Sequence, residues 1–169
     1  MERVRRAANV IIVLAAAVGT ATLAAAPPDR LSFKGYGFIH FGMSLKDAEK
    51  VAGIPAHRNT GRDPNCEFVD FTRYPNVIFF VEGGRVTRAD LHYDAPNVVG
   101  IRVGMTLQEV KRRFPQGNVT EKEPDDIGHY IIFRAPGGET EIIADEENDV
   151  VTRVRGGLVA SVENTEPCN

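Results

Sequence analysis

One segment of this chain occurs twice, and the repetition constrains the fold more than any other feature of the sequence. The first copy covers residues 39–52 and the second covers residues 101–114. Both carry the pattern Gly-Met-[Ser/Thr]-Leu, which begins at Gly42 in the first copy and at Gly104 in the second. Self-similarity of this kind indicates two copies of one supersecondary unit, so the sequence predicts a tandem duplication.

Each copy of the motif opens a predicted helix. Ser44 starts an S-x-x-D pattern and Thr106 starts a T-x-x-E pattern. Such a capping box satisfies the free amide groups of a first helical turn, and its acidic residue favours the positive end of the helix dipole. Gly53 and Pro115 follow as stop signals. We therefore expect one short amphipathic helix in each unit.

After each helix the sequence predicts a polar loop and then three antiparallel strands. The predicted loops are 56–65 and 116–128; the predicted strands are 66–71, 77–81 and 86–93 in the first unit, and 129–133, 139–144 and 150–155 in the second. A last short strand is expected at 158–162. Together these segments predict an α+β fold with one sheet of six or more strands. Two helices would pack on one face, and the other face would be open to solvent or to a partner.

The first 26 residues have the pattern of a secretory signal peptide. Arg3, Arg5 and Arg6 precede an apolar run and then a stretch of small residues, and the apolar run is too short to span a membrane. The alternative is an uncleaved N-terminal anchor helix. We expect cleavage, a periplasmic or secreted product, and no stable membrane anchor afterwards.

The rest of the chain is expected to form one compact domain. It divides into a loose lead-in (27–36), a first repeat unit (37–98) and a second unit with the C-terminal tail (99–169). Loss of three arginines and one glutamate with the signal peptide would move the formal net charge from −3 to −5. An acidic product has no basic footprint for nucleic acid, so no nucleic-acid partner is expected.

The chain has two cysteines, Cys66 and Cys168, and both would survive processing. In an oxidising compartment an even pair is interpreted first as a disulfide. Two free thiols, or one nucleophilic thiol, are the alternative. No Cys-x-x-Cys motif and no zinc-type spacing favours that alternative, so a disulfide between the tail and the first unit is predicted.

At the doubled motif the chain resembles the beta-lactamase-inhibitor-protein-like group, and also the SmpA/OmlA-type envelope lipoproteins, which carry a single such unit. The matching features are an apolar approach, Gly-Met-[Ser/Thr] and an amphipathic helix, at residues 39–55 and 101–114. The first copy ends in Gly-x-Pro as those families do, whereas the second ends in Phe114-Pro115. The resemblance implies the fold, and protein binding in the cell envelope as a class of function. It transfers no contact residue.

Five polar side chains are the candidate binding residues. Alternation along the strands at 86–93 and 150–155 places them on one sheet face: Arg88, Asp90, His92, Arg153 and Arg155. They are either cross-strand ion pairs on a wet face or a surface where a partner docks, since arginine is enriched at interface hot spots. Four aromatic residues are either anchors near this surface or core: Phe68, Tyr74, Tyr93 and Tyr130.

No pattern indicates a catalytic, metal or cofactor site. The histidines lack metal-ligand spacing, and the acidic run at residues 145–149 lacks the order of a calcium loop, so a solvated turn is expected there. There is no nucleophile elbow. We therefore predict a non-catalytic binding module without a cofactor, whose partner is another envelope or extracellular protein. An envelope-maintenance protein that binds lipid or cell-wall fragments is the alternative, and an exported hydrolase is a more remote one.

Overall fold

The computed structural model describes residues 29–60, 63, 65–123, 126–165 and 168. The predicted signal peptide, residues 1–26, lies outside the described residues. Across these described ranges, no helix has the length and apolar character needed to cross a membrane. The fold is α+β, and its strands pair antiparallel in two sheets.

The helices are α1 (Leu45–Ala52), α2 (Leu107–Arg113) and α3 (Val159–Val162). The strands are β1 (Leu31–Ser32), β2 (Gly35–Tyr36), β3 (Ile39–His40), β4 (His57–Thr60), β5 (Cys66–Asp70), β6 (Val77–Glu82), β7 (Arg85–Leu91), β8 (Asn118–Glu121), β9 (His129–Arg134), β10 (Thr140–Glu147) and β11 (Val150–Leu158). The first three form a small sheet. The other eight form one large sheet in the order β4-β5-β6-β7-β11-β10-β9-β8, in which β7 pairs with β11 at the centre.

The two predicted helix starts are confirmed. The Ser44 hydroxyl accepts a hydrogen bond of 3.1 Å from the Asp47 amide, and the Thr106 hydroxyl accepts one of 3.1 Å from the Glu109 amide. Helix α1 then ends at Gly53, whose φ of 75° is a left-handed conformation that glycine adopts without a steric penalty. Local sequence therefore determines where both helices begin.

The two motif glycines make the same contact with the large sheet. The Gly42 amide donates to the Val86 carbonyl at 2.7 Å, and the Gly104 amide donates to the Val151 carbonyl at 2.8 Å. Each valine amide also donates to the carbonyl of the methionine that follows the glycine. The start of α1 is thus attached beside β7, and the start of α2 is attached beside β11.

The main core brings side chains of the large sheet together with side chains of α1 and α2. Alternate side chains of the strands enter it, among them Phe79, Ala89 and Ile142, and they belong to the same cluster as Leu45 of α1 and Val110 of α2. Full burial of one larger apolar side chain stabilises a fold by about 1.5–3 kcal/mol. We call the sheet side that faces this core the core face, and the opposite side the outer face.

Three segments that were predicted to lack regular structure contain strands. The predicted loops at 56–65 and 116–128 contain β4 and β8, which form the two edges of the large sheet. Short polar strands are suited to exposed edges, and their composition resembles that of a loop. The described part of the predicted loose lead-in, residues 29–36, is also ordered: it contains β1 and β2, and it buries Leu31 and Tyr36 in the main core.

The predicted final strand at 158–162 is also wrong, because residues 159–162 form helix α3. A short apolar run does not distinguish the two structures by its periodicity. The preceding glycines lie inside β11 and do not end it. A Cβ atom at Gly157 would lie 2.5 Å from the Thr87 carbonyl oxygen, so this position requires glycine for β11 to approach β7.

Candidate functional site

The candidate site lies on the outer face of the large sheet, where β7 meets β11. Three of the five candidate residues are buried there: Arg88 and Arg155 are each 1% exposed, and Asp90 is 8% exposed. The expectation of a wet, open face is therefore wrong at these positions. The cause is the C-terminal segment (residues 159–165 and Cys168), which supplies acceptors to both arginines.

Arg88 joins β7 to the C-terminal segment. Its Nε and Nη2 donate to the two carboxylate oxygens of Asp90 at 2.6 and 2.7 Å, and its Nη1 donates to the Asn164 carbonyl at 2.7 Å. Its guanidinium also lies 4.5 Å from the ring centroid of Phe80. A bidentate pair with further acceptors satisfies a charge that burial would otherwise penalise.

Arg155 makes the corresponding connection from β11. Its Nε donates to the Val162 carbonyl at 2.8 Å, and its Nη1 lies 2.5 Å from each carboxylate oxygen of Asp145. Burial is the largest cause that lowers the pKa of the Arg155 guanidinium, Asp145 acts in the opposite direction, and the neighbouring arginines add to the lowering. The side chain thus lies in a strongly desolvated position.

A disulfide fastens the end of the C-terminal segment to the sheet. Cys66 of β5 and Cys168 are bonded, as predicted, with their Cα atoms 5.0 Å apart. The pair packs with Phe80, and with the half-buried side chains of Phe68 and Ile78, in a second apolar cluster. In the chain-entropy model, closing a loop of this length stabilises the fold by about 4–5 kcal/mol.

The described residues leave part of the outer face open as a groove with a volume of about 280 Å³. Arg153, with 45% of its side chain exposed, lies on this groove, and its Nε donates to Asp145 at 2.6 Å. We call it the Arg153 groove, and its lining residues are Phe68, Ile78, Phe80, Asp90, Leu91, His92, Tyr93, Thr152 and Arg153. The candidate residues Asp90, His92 and Arg153 therefore lie together, with Arg88 and Arg155 behind them.

Tyr93 lies on the rim of the groove, and the strand predicted at residues 86–93 extends two residues too far. Strand β7 ends at Leu91, and Tyr93 is 82% exposed with a φ of 55°. A bulky residue in the left-handed region is uncommon, and such conformations cost about 1–3 kcal/mol and concentrate at functional sites. An exposed, strained aromatic side chain therefore marks this edge of the groove.

A second cavity, of about 500 Å³, adjoins the first, and Arg153 lines both. Lys122 and Tyr130 line the second cavity. The Lys122 side chain is only 6% exposed, and its Nζ donates to Glu147 at 2.8 Å. The outer face around Arg153 is thus concave on two sides. Of the other candidate aromatics, Tyr74 is buried in the main core.

The acidic run at residues 145–149 was expected to be a solvated turn, and this is wrong for its first two residues. Asp145 and Glu146 are buried on β10. Asp145 is held by Arg153 and Arg155, and Glu146 accepts from the Asp149 amide at 2.5 Å. The sequence prediction did not include Asp145 among the candidate site residues. Its position opposite Arg153 in the β10–β11 hairpin is the sequence signal that points to it.

Within the described ranges, no group of three or more His, Cys, Asp or Glu side chains is placed to hold a metal ion. What the site offers chemically is a rigid array of guanidinium and carboxylate groups beside an apolar, aromatic surface. That combination is suited to non-covalent recognition.

Comparison with known proteins assigns no family to this chain. No family model matches it, and no curated protein matches it. The structure is similar to the crystal structure of a DUF4309 family protein (YjgB) from Bacillus subtilis subsp. subtilis str. 168, with a TM-score of 0.42 and 12% sequence identity. The similarity covers 68% of this chain and 78% of that chain.

Proposed function

We propose that this protein is an exported, non-catalytic binding module of the cell envelope, and that it holds another protein at the Arg153 groove. The observation that carries the proposal is the placement of a half-exposed arginine and an exposed, strained tyrosine around an apolar floor. Tyrosine and arginine are enriched among residues that dominate binding energy. The uncovered outer face therefore has the composition of a docking surface.

The rigidity of the groove supports the same proposal. Arg153 is held by Asp145, which is itself held by Arg155. Asp90 is held by Arg88, whose other contacts lead to the C-terminal segment. Side chains fixed in this way before binding lose less conformational entropy when a partner docks.

A tandem duplication would account for how the groove is built. In this proposal each unit contributes a helix on the core face and four strands of the large sheet, and the units meet where β7 pairs with β11. The matching contacts of Gly42 and Gly104 support the equivalence of the units. The binding surface then depends on residues that the two copies do not share, such as Tyr93.

Export is part of the proposal. The N-terminal 26 residues have the pattern of a signal peptide, and the bonded pair of Cys66 and Cys168 agrees with an oxidising compartment. The resemblance to the inhibitor-like group favours a periplasmic or secreted protein that binds, and in doing so restrains, a second protein.

Affinity capture with a single substitution tests the proposal. The mature chain with Arg153→Gln keeps Asp145 paired with Arg155, so the fold should persist. We expect capture of an envelope protein to weaken about tenfold, as for an interface hot spot. Arg102→Gln is the matched control, because Arg102 is exposed and lies outside the groove. Equal capture by both variants and the native chain would contradict the proposal.

A second candidate function is the binding of lipid or cell-wall fragments. It is favoured by a separate cavity of about 760 Å³, whose lining includes the apolar side chains of Phe33, Val98 and Pro136. Saturable binding of a lipid probe, abolished by Phe33→Asp and unaffected by Arg153→Gln, would favour this function over protein binding at the Arg153 groove.

A further inference from the structure

We infer that the Arg153 groove recognises a short segment of a partner protein in which an acidic side chain lies next to an aromatic or large aliphatic one. This inference rests on the proposed function and specifies the chemistry of the partner. The carboxylate would meet the exposed guanidinium of Arg153, and the apolar side chain would lie on the floor formed by Phe68 and Ile78.

The charge balance of the outer face is the first argument. Five described groups act on one another here: three guanidinium groups, of Arg88, Arg153 and Arg155, and two carboxylates, of Asp90 and Asp145. Within this set the guanidinium groups outnumber the carboxylates by one. The second cavity adds Lys122, which is paired with Glu147, and the exposed carboxylate of Asp126. A carboxylate that binds at Arg153 would balance the five groups on the groove side.

The hydrogen bonds place the unbalanced charge on Arg153. Both oxygens of Asp90 accept from Arg88, and both oxygens of Asp145 lie within reach of Arg155. Arg153 shares a single Asp145 oxygen with Arg155, through its Nε and Nη2. A guanidinium has five N–H donors, so Arg153 retains donors for a second carboxylate.

Arg153 also differs from the other two arginines in its exposure to solvent. Arg88 and Arg155 are buried under the C-terminal segment, whereas nearly half of the Arg153 side chain is exposed. Its exposed part lines both cavities of the outer face. An incoming carboxylate can therefore reach this guanidinium without any movement of the C-terminal segment.

The floor and rim of the groove define the apolar half of the ligand. Phe68 and Phe80 pack edge to face with centroids 4.9 Å apart, and Ile78 lies beside them. A volume of about 280 Å³ is at the lower limit of sites for whole small molecules, so it suits one or two side chains. Tyr93 on the rim can close over such a side chain, as aromatic residues do at interfaces.

The same residues disfavour a phosphate or a membrane surface as the ligand. Asp90 lines the groove together with Arg153, so a dianion would be repelled by one wall. The mature chain would have a formal net charge of −5, which opposes an anionic lipid surface. A single carboxylate carries the one negative charge that the guanidinium groups leave unbalanced.

A set of blocked synthetic peptides tests the inference directly. Each peptide has the form Gly-X-Y-Gly, where X is Asp, Glu, Asn or Gln and Y is Phe, Leu or Ser. Dissociation constants are measured by NMR titration of the mature chain. We expect peptides with a carboxylate at X and an apolar residue at Y to bind about tenfold more tightly than their amide counterparts. The amide peptides lose the charged hydrogen bond between the carboxylate and Arg153. Replacement of Phe or Leu by Ser should also weaken binding.

Two variants make the outcome decisive. Arg153→Gln should abolish the preference for the carboxylate, whereas Arg102→Gln should keep it, with thermal melting to show that both are folded. Equal binding of acid and amide peptides, no binding of any peptide, or tighter binding of inorganic phosphate or anionic vesicles would each overturn the inference. If capture of an envelope protein still depends on Arg153 in those cases, the proposed function stands and only the partner chemistry is wrong.

Discussion

The guanidinium of Arg88 donates to the backbone carbonyl of Asn164, 2.7 Å away and 76 residues further along the chain. This contact explains why a strand residue predicted to face solvent is buried. The C-terminal segment brings backbone carbonyls to the outer face, and the arginines there satisfy them. Two charged side chains, Arg88 and Arg155, thereby act as structural supports behind an exposed one, Arg153.

Removal of the Arg88 charge should destabilise the fold severely. Arg88→Met would leave the carboxylate of Asp90 buried without its partner, which typically costs 3–5 kcal/mol. Urea unfolding followed by circular dichroism measures the change. The double variant Arg88→Met/Asp90→Leu should recover much of the loss, since neither charge remains buried. A single-variant cost below about 1 kcal/mol would show that Arg88 does not support the sheet.

Loss of the disulfide should release the C-terminal segment before the rest of the fold. Replacement of Cys66 and Cys168 by serine removes a cross-link worth up to about 4–5 kcal/mol in the chain-entropy model. Glu163 is an exposed cleavage site for a glutamate-specific protease. We expect cleavage after Glu163 to accelerate relative to cleavage after the exposed Glu121, as quantified by mass spectrometry. Equal acceleration at both sites would indicate that the whole fold loosens together.

Tyr93 should show a trade-off between stability and binding. Tyr93→Asn should raise the free energy of unfolding by about 0.5–1 kcal/mol, because asparagine tolerates the left-handed conformation better than tyrosine. Tyr93→Ala is the matched control: it also removes the ring but keeps the unfavourable conformation, so it should not stabilise. Both variants should weaken capture at the Arg153 groove. Full binding by Tyr93→Asn would show that the ring is not part of the docking surface.

The buried Tyr36 should make the fold sensitive to alkali. Burial is the largest cause that raises the pKa of Tyr36, with Asp29 and Tyr74 acting in the same direction. Because the pKa in the folded protein is the higher one, this contribution to stability is complete below the unfolded value of about 10 and is lost as the pH rises through the folded value. Tyr36→Phe should therefore reduce the loss of stability between neutral and alkaline pH.

Thermal melting across that pH range measures the Tyr36 effect. Tyr93→Phe is the control, because it removes one phenolic hydroxyl as well, from a side chain that is 82% exposed. The alkaline decrease in melting temperature should be smaller in Tyr36→Phe than in the native protein and unchanged in Tyr93→Phe. Parallel curves for all three proteins would exclude Tyr36 as the source.

The sequence alone was sufficient to predict those elements whose structure is determined by neighbouring residues. The capping patterns at Ser44 and Thr106 lie within four residues, and the structure begins both helices there. The edge strands β4 and β8 were missed because their polar side chains resemble a loop, and only pairing with β5 and β9 makes them strands. Tertiary contacts determine such segments more than their own composition does.

Part of the candidate site was predictable because alternation along a strand is also a local pattern. Alternation places Arg88, Asp90 and Arg155 together, and they do lie together in the structure. Their burial depends on a segment more than 70 residues beyond Arg88, whose path no local pattern specifies. The predicted strand end at Tyr93 was wrong because Tyr93 has a left-handed backbone conformation, which the alternation before it does not reveal.

Gly157 lies in the pairing of β7 with β11, which we call the joint, and it therefore affects the candidate site as well as the sheet. Only four residue pairs join these strands, and at one of them a Cβ on Gly157 would strike the backbone of β7. The Arg153 groove takes Asp90 from one side of this joint and Arg153 from the other. Neither half of the chain contains the proposed recognition surface by itself, so a nascent or partly unfolded molecule with the joint open would lack that surface. Binding competence would arise only in the step that completes the sheet.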